Sequence, residues 1–475
     1  MGQYLRVLLP ALAILAPSVA AARTTSPQNS DLESPELGAA HVYNLSVDDA
    51  VALALQRSFK AARTARSLRE KELRYGNAKA EYLPRLTTNV AFGQQASELA
   101  SHGSTYSDQV ASLSQFQGSA NADLSLPLDV GGVIRRQVRQ ADLGRGIAAD
   151  DVTNTELDVT LDVQTSYLSA LRAQNNADAD ELVAKEIQDL LQRAGSQSPI
   201  ASFLQVELAN ARQTAQTSRE NSDNAQDGLK QLLRVPPETR LRLTSDFRDR
   251  KLPVEHDGLV QQALKNRPDM QSALLRVRQA QTTIDQVSDG RKSSVRLDVF
   301  ASQQIAAGAA YEGRYDWLRQ GGGLVNVSVP LAQWDNGELH RDKEAARLQR
   351  EQADADVEEL REKVAYDVRQ QLLAVSRAEN RIRNLPDPKQ ALRALQHAEQ
   401  MLLSAPPETA QGLVAQVSNA RQAWRSAETA TADAYIDYNN AVFRLKRLIG
   451  DTSTSSTTVA AGEIPVQTVG PSYGL

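Results

Sequence analysis

The residues best able to hold a transition metal in this chain of 475 residues are five histidines, since it contains no cysteine. A zinc site needs ligands a few positions apart, so that one turn or one helix face presents two of them together. His41, His102, His256, His340 and His397 stand far from one another in the sequence, and no HExxH occurs. The Gly-Arg-Gly at Gly144 lies inside a helical stretch and lacks the preceding strand and third glycine of a phosphate-cradling loop. The acidic run from Asp354 to Glu359 reads as a solvated helix face. With no nucleophile elbow and no P-loop, the sequence predicts no enzyme, no cofactor and no metal. What remains is a set of polar side chains, Asn89, Asn121, Asp123, Arg296, Asp298 and Asn326, each with an apolar residue beside it. Their chemistry is contact with water and with charged solutes, and it depends on the elements that carry them.

Those elements read as short strands. Leu86, Thr88, Val90 and Phe92 alternate with Thr87, Asn89, Ala91 and Gly93, and Ala120, Ala122, Leu124 and Leu126 alternate with Ser119, Asn121, Asp123 and Ser125. Further along, Val295, Leu297, Val299 and Ala301 alternate with Arg296, Asp298, Phe300 and Ser302, while Val325, Val327 and Val329 alternate with Asn326 and Ser328. Phe300 breaks the pattern. Period-two alternation with charge on one face fits a sheet packed on one side in water, and it equally fits a membrane β-barrel with a wet lumen. Four strands cannot close a barrel, whose smallest forms have about eight, so in lipid several subunits must share one. Pattern alone leaves two, three or four copies open. The stretches following Gln94 and Gln303 read as long polar loops, and Tyr311, Tyr315, Trp317 and Trp334 lie near strand ends where interfacial aromatics sit.

The strands are embedded in a duplication. The segment from Ala50 to Gln95 lies without gaps on that from Leu259 to Gln304, placing Leu86 on Val295, and Asn210-Ala211-Arg212-Gln213 meets Asn419-Ala420-Arg421-Gln422. Pro127 then meets Pro330, and Gly132 meets Gly337. Ordered landmarks of this kind predict one unit occurring twice, at 44–235 and 254–450, joined by a linker at 236–253. Each unit reads helix, strand, loop, strand, very long helix, tip, returning helix. Ser46 is placed to cap the first helix, with Asp48 and Asp49 in its first turn. Val357, Leu360, Val364, Val368, Leu372 and Val375 recur at steps of three and four, which predicts one rod from Gly337 to about Leu403 with a seam for a neighbour. Breaks at 194–199 and 404–412 predict hairpin tips, and 451–475, rich in Ser, Thr and Gly, reads as a poorly ordered tail.

Composition adds a compartment. Arg6, an apolar run and small Ala20 and Ala22 make 1–22 a secretory signal, followed by an N-terminal extension at 23–43. No other apolar run approaches the roughly 18 residues of a membrane helix. The absence of cysteine excludes disulfides and lipid attachment through an N-terminal cysteine, and a net charge of -5 excludes a basic nucleic-acid surface.

The opening "LSVDDAVALALQRS", the "YLPRL" from Tyr82 to Leu86, "LSLPLDVGG" and "VSVPLAQWDNG" leaving strands, and "LANARQ" and "VSNARQ" on returning helices resemble, in that order, the TolC-like outer membrane efflux protein family. The resemblance covers nearly the whole mature chain. It implies a mainly α fold with membrane β: long helical hairpins forming a periplasmic α-barrel, and four strands per chain contributing to a shared 12-stranded barrel. It also implies a homotrimer in outer-membrane lipid, docked to a periplasmic adaptor and an inner-membrane transporter, serving as a passive exit duct for efflux or type I secretion. Asn89, Asn121, Asp123, Arg296, Asp298 and Asn326 would face its lumen. Pro127, Gly131, Gly132, Pro330 and Gly337 would form the strand-to-helix turns. Ser198, Ser202, Glu408, Thr409, Gln411 and Gly412 would lie at the tips, where the family commonly carries aspartates that this chain lacks. The other class compatible with long hairpins is a periplasmic adaptor or coiled-coil scaffold without a channel.

Overall fold

The computed structural model describes residues 42–101, 109–195, 200–245, 247, 258–289, 294–308, 316–328 and 337–451. The signal, the tail, His41, His102, His256, Ser198, Pro330, Tyr311, Tyr315 and Trp334 lie outside the described residues.

Helix α1 (Val47–Arg57) starts where the sequence predicts: the Ser46 hydroxyl accepts from the Asp49 amide at 3.1 Å and donates to its carboxylate at 2.6 Å. A capping pair of this kind satisfies an otherwise unpaired N-terminal amide. Helix α2 (Phe59–Ala80) follows, then strands β2 (Arg85–Ser101) and β3 (Gln109–Leu128). Helix α3 (Val133–Ala194) is a single rod of 62 residues, about 90 Å at 1.5 Å per residue, and α4 (Ala201–Leu233) returns along it.

In the second half, α5 (Leu259–Asn266) and α6 (Pro268–Asp289) precede β5 (Ser294–Gly308) and β6 (Asp316–Ser328). The rod predicted from Gly337 to Leu403 is two helices, α7 (Glu338–Arg383) and α8 (Pro388–Ser404). The correction lies in Asn384-Leu385-Pro386-Asp387: Pro386 cannot continue the hydrogen-bond ladder, and Asp387 caps a new helix, accepting from the Lys389 amide at 3.0 Å with Pro388 in its first turn. The seam is unaffected, with Val357, Val364, Val368 and Val375 buried and Leu360 and Leu372 partly buried against the same clusters. Helix α9 (Pro407–Ile449) begins only two residues after α8, so Glu408, Thr409, Gln411 and Gly412 are helical rather than part of a loop.

Two further strands form a parallel pair that the sequence reading lacks: β1 (Val42–Leu45), whose first residues fall in the supposed extension, and β4 (Arg240–Leu243), inside the supposed linker. Tyr167 of α3 ties this pair down, its fully buried hydroxyl donating to the Leu45 carbonyl at 2.9 Å and accepting from the Ser245 amide at 3.0 Å. Around it lies a core of Ala50, Val51 and Ala54 from α1, Val163, Leu168 and Leu171 from α3, Leu229 and Leu233 from α4, and Ile436 and Phe443 from α9. Elements of both halves therefore share one core. A second cluster joins α5, α7 and α9 through Leu259, Val364, Val368, Val442 and Leu445. A third, beside the tips, joins Leu190, Ile200 and Leu204 to Leu395, Leu402 and Val417.

Gly450 ends α9 in a left-handed conformation at φ 71°, and a Cβ there would stand 2.9 Å from the Asn266 carbonyl oxygen. Only glycine fits.

Candidate functional site

The four remaining strands form one antiparallel sheet in the order β2-β3-β5-β6. Residues directly opposite in such a ladder point to the same face, so register decides which side chains share a surface. Leu86 pairs with Leu124, Leu124 with Val299, and Val299 with Gly323; Val295 pairs with Val327, and Leu297 with Val325. Apart from Phe300 and Leu324, the large apolar residues of these rows thus lie on one side. Leu86 (64%), Val90 (56%), Val299 (47%) and Val325 (62%) remain exposed there, because none of the described helices covers them. A continuous apolar face of this breadth is not stable against water in an isolated subunit.

The other face carries Thr87, Asp123, Phe300 and Gly322 in one row and Asn89, Asn121 and Ser302 in the next. Asp298 lies opposite Ser125 and Leu324, and Arg296 opposite Pro127 and Asn326. All six candidate polar residues therefore share the second face. Phe300 sits among them, its ring leaning over Gly322: a Cβ on that glycine would come within 3.3 Å of the ring. Phe92 does the same to Gly118 on the apolar face, at 3.0 Å. An aromatic ring laid over a strand glycine restores the packing the missing side chain leaves out.

Strands are longer than alternation predicts. The stretches expected as loops after Gln94 and Gln303 are largely paired, with β2 and β3 in register out to Ser101 and Gln109 and β5 with β6 out to Ala306 and Asp316. Backbone pairing needs only the ladder, whereas alternation is visible only where the two faces meet different surroundings.

At the foot of the sheet the chain turns into helix twice. Gly132 and Gly337 both adopt left-handed φ, 72° and 79°, immediately before α3 and α7. Pro127 does not end β3: pairing to β2 stops at Ser125, while pairing to β5 continues through Leu128. On the side that β2 has vacated, its missing N–H leaves no ladder bond unmade. Asp129, not singled out in the sequence, accepts from the amides of Ile134 and Arg135, both at 3.1 Å, and so caps the longest helix. An aspartate four residues before the helical run, ahead of Gly131-Gly132, was the signal for it.

The helical part is stitched by ion pairs between halves. Glu399 of α8 is 2% exposed and accepts from Arg193 of α3 at 3.1 Å, while Arg421 of α9, 3% exposed, reaches Glu207 of α4 at 2.8 Å and Glu399 at 3.5 Å. Burial, and then the neighbouring Glu399 carboxylate, pushes Glu186 above the usual glutamate range. Asp180 accepts from Ser218 at 2.6 Å and from both Nε and Nη2 of Arg425, and that hydrogen bond raises Arg425 further. Arg172 bridges Asp433 and Asp437, and burial raises the Asp433 pKa. Ser202, exposed in the first turn of α4, and Gly412, exposed in α9, lie just beyond this stitched region. The tip residues and the sheet residues are at opposite ends of the rods and are not brought together.

The fold is thus a sheet apolar on one face and polar on the other, continued by long helical rods, the longest of 62 residues. In fold the chain is similar to solved outer-membrane channels: the outer-membrane channel OprN aligns with TM-score 0.64 at 17% identity over 85% of this chain and 89% of that chain. The Campylobacter jejuni CmeC channel aligns with TM-score 0.64 at 17% identity over 86% and 87%, and Vibrio cholerae VceC with 0.63 at 16% over 85% and 96%. Residues 259–451 match the family model described as outer membrane efflux protein, so the second half of the chain carries that domain. No curated protein matched the chain. Among the described residues no helix is long and apolar enough to cross a membrane.

Proposed function

We propose that this protein is the outer-membrane exit duct of a tripartite efflux or type I secretion system, a passive conduit and not an enzyme. The observation that carries the reading is the uncovered apolar face through Leu86, Leu124 and Val299, back to back with the polar face through Asn121 and Asp298. Lipid satisfies the first face and a water-filled lumen the second. The outer edges of β2 and β6 have no partner among the described residues, and unpaired edges in lipid cost several kcal/mol per backbone group. Three copies joined edge to edge close a barrel of twelve strands, the homotrimer the family resemblance implies. Gly132 and Gly337 supply the two exits from that barrel into a periplasmic helical tunnel, once in each unit of an internal duplication.

The lumen is lined by Asn89, Asn121, Asp123, Arg296, Asp298 and Asn326. The tunnel mouth is formed by the tips that carry Ser198, Ser202, Glu408, Thr409, Gln411 and Gly412, and it receives a periplasmic adaptor and, through it, an inner-membrane transporter. Support for the adaptor and transporter comes from the family match alone. The test is conductance in planar bilayers together with cysteine accessibility. Single cysteines at Val90 and Val299 should label with lipid-soluble reagents and those at Asn89 and Asp298 with charged ones. A protein stable without detergent, silent in bilayers and labelled by charged reagents on both faces is a scaffold instead.

A further inference from the structure

The water-facing side of the sheet changes character along its length. Away from the helices it presents amides and hydroxyls, in the row of Asn89, Asn121 and Ser302. Toward the helices it presents charge and, among the charges, two exposed apolar side chains where alternation calls for polar ones: Phe300, 40% exposed, and Leu324, 56% exposed. They are diagonal neighbours, since Phe300 pairs with Gly322 and Asp298 with Leu324. The Gly322 backbone props the ring from one side.

The charges nearest that ring are carboxylates. Asp123 is directly opposite Phe300, a separation of about 5 Å, and Asp298 is two residues along the same strand, about 7 Å. The guanidiniums of the same face stand farther from the ring: Arg296 is four residues from Phe300 along β5 and two from Asp298, and Arg85, opposite Ser125, is a diagonal neighbour of Asp123. Among the described residues neither Asp123 nor Asp298 forms an ion pair. An apolar ring and an aliphatic side chain flanked by two carboxylates that form no direct ion pair match a solute with an apolar body and a positive head, the head held by charge and by the ring's own negative face.

Resting on the duct reading, we propose that Phe300, Leu324, Asp123 and Asp298 form a selectivity station for amphiphilic cations at the periplasmic end of the barrel. Three copies would ring the lumen.

The experiment uses the full-length protein in planar bilayers with three matched probes: benzyltrimethylammonium, tetramethylammonium and benzenesulfonate. Benzyltrimethylammonium should block current at a lower concentration than either of the others. Phe300→Ala should weaken that block about threefold, the scale of an exposed cation–aromatic contact, and Phe300→Tyr should retain it. Asp123→Asn and Asp298→Asn should weaken block by benzyltrimethylammonium and leave benzenesulfonate unchanged. Should Phe300→Ala fail to assemble, Leu324→Ser carries the same expectation of weakened block with conductance preserved. Channels that conduct normally but are blocked equally in wild type and Phe300→Ala, or more strongly by benzenesulfonate, overturn the station and leave the duct intact. Absence of any conductance overturns the duct itself.

Discussion

Arg421→Met tests the stitching of the two halves near the tips. The guanidinium is 3% exposed and its partner Glu399 2%, so solvent screens their interaction little. Removing it leaves the Glu207 carboxylate without its 2.8 Å partner and Glu399 dependent on Arg193, whose side chain is 47% exposed and correspondingly weak. Breaking a buried pair from one side costs about 3–5 kcal/mol, because a buried charge is left uncompensated. Replacing both members by apolar groups is close to neutral, so Arg421→Met/Glu399→Leu should regain most of the loss. A whole-molecule melting curve averages over units of unequal stability, and the suitable assay is amide hydrogen exchange at 186–193 and 395–402. Exchange there should rise by about two to three and a half orders of magnitude in the single variant and return most of the way in the double. Unchanged exchange in the single variant, or a double variant as labile as the single, refutes the claim that buried charge pairing holds this region.

Other consequences are sharper in position than in size. Gly450→Ala places a Cβ 2.9 Å from the Asn266 carbonyl and forces a positive φ, so thermal unfolding should show a loss of about 1–3 kcal/mol, whereas Gly144→Ala, with open space, should not destabilise. Burial alone would raise Asp269, but the hydrogen bonds and charge of Arg267, at 2.6 Å, outweigh it and hold the carboxyl below its ordinary value of 3.8. Stability from this pair is therefore present above pH 3.8 and lost as pH falls through the depressed value; Asp269→Asn should abolish that acid sensitivity in exchange at the start of α6. Glu186 runs the other way: its contribution is present below pH 4.5 and lost as pH rises through its elevated value, so Glu186→Gln should stabilise the tips above that range in the same exchange measurement. Val90→Lys on the apolar face should cost about 2–4 kcal/mol in barrel assembly in lipid, with Asn89→Lys tolerated; equal tolerance of both would contradict the assignment of faces.

The parts legible in the sequence were those with a repeating period. Alternation grouped Leu86, Val90, Leu124, Val295, Val299 and Val327 on one face, as the register does, with Phe300 as the exception it already showed, and steps of three and four located the buried seam of α7. Ser46 was legible because a cap acts within three residues. The pair of β1 with β4 was not, since each is four residues long and its partner is supplied from a distant part of the chain. The break at Asn384 was written in Pro386 and Pro388 but overruled by the periodic seam running up to it. Glu399 and Arg421 carry no local signal of burial, because their partners Arg193 and Glu207 come from α3 and α4 in the other half of the chain. Phe300 looked anomalous because its neighbour Gly322 is a residue of another strand.

The shared core around Tyr167 has an implication for the order of assembly. Its lining comes from α1, near the beginning of the chain, and from Ile436 and Phe443, near the end of the last described helix. A polypeptide emerging from its amino end holds that cluster of side chains open until α9 has arrived, and truncation before Ala434 leaves it without Ile436 and Phe443. Closing so long a loop is entropically slow, so this core locks only after α9 docks on α1 and α3.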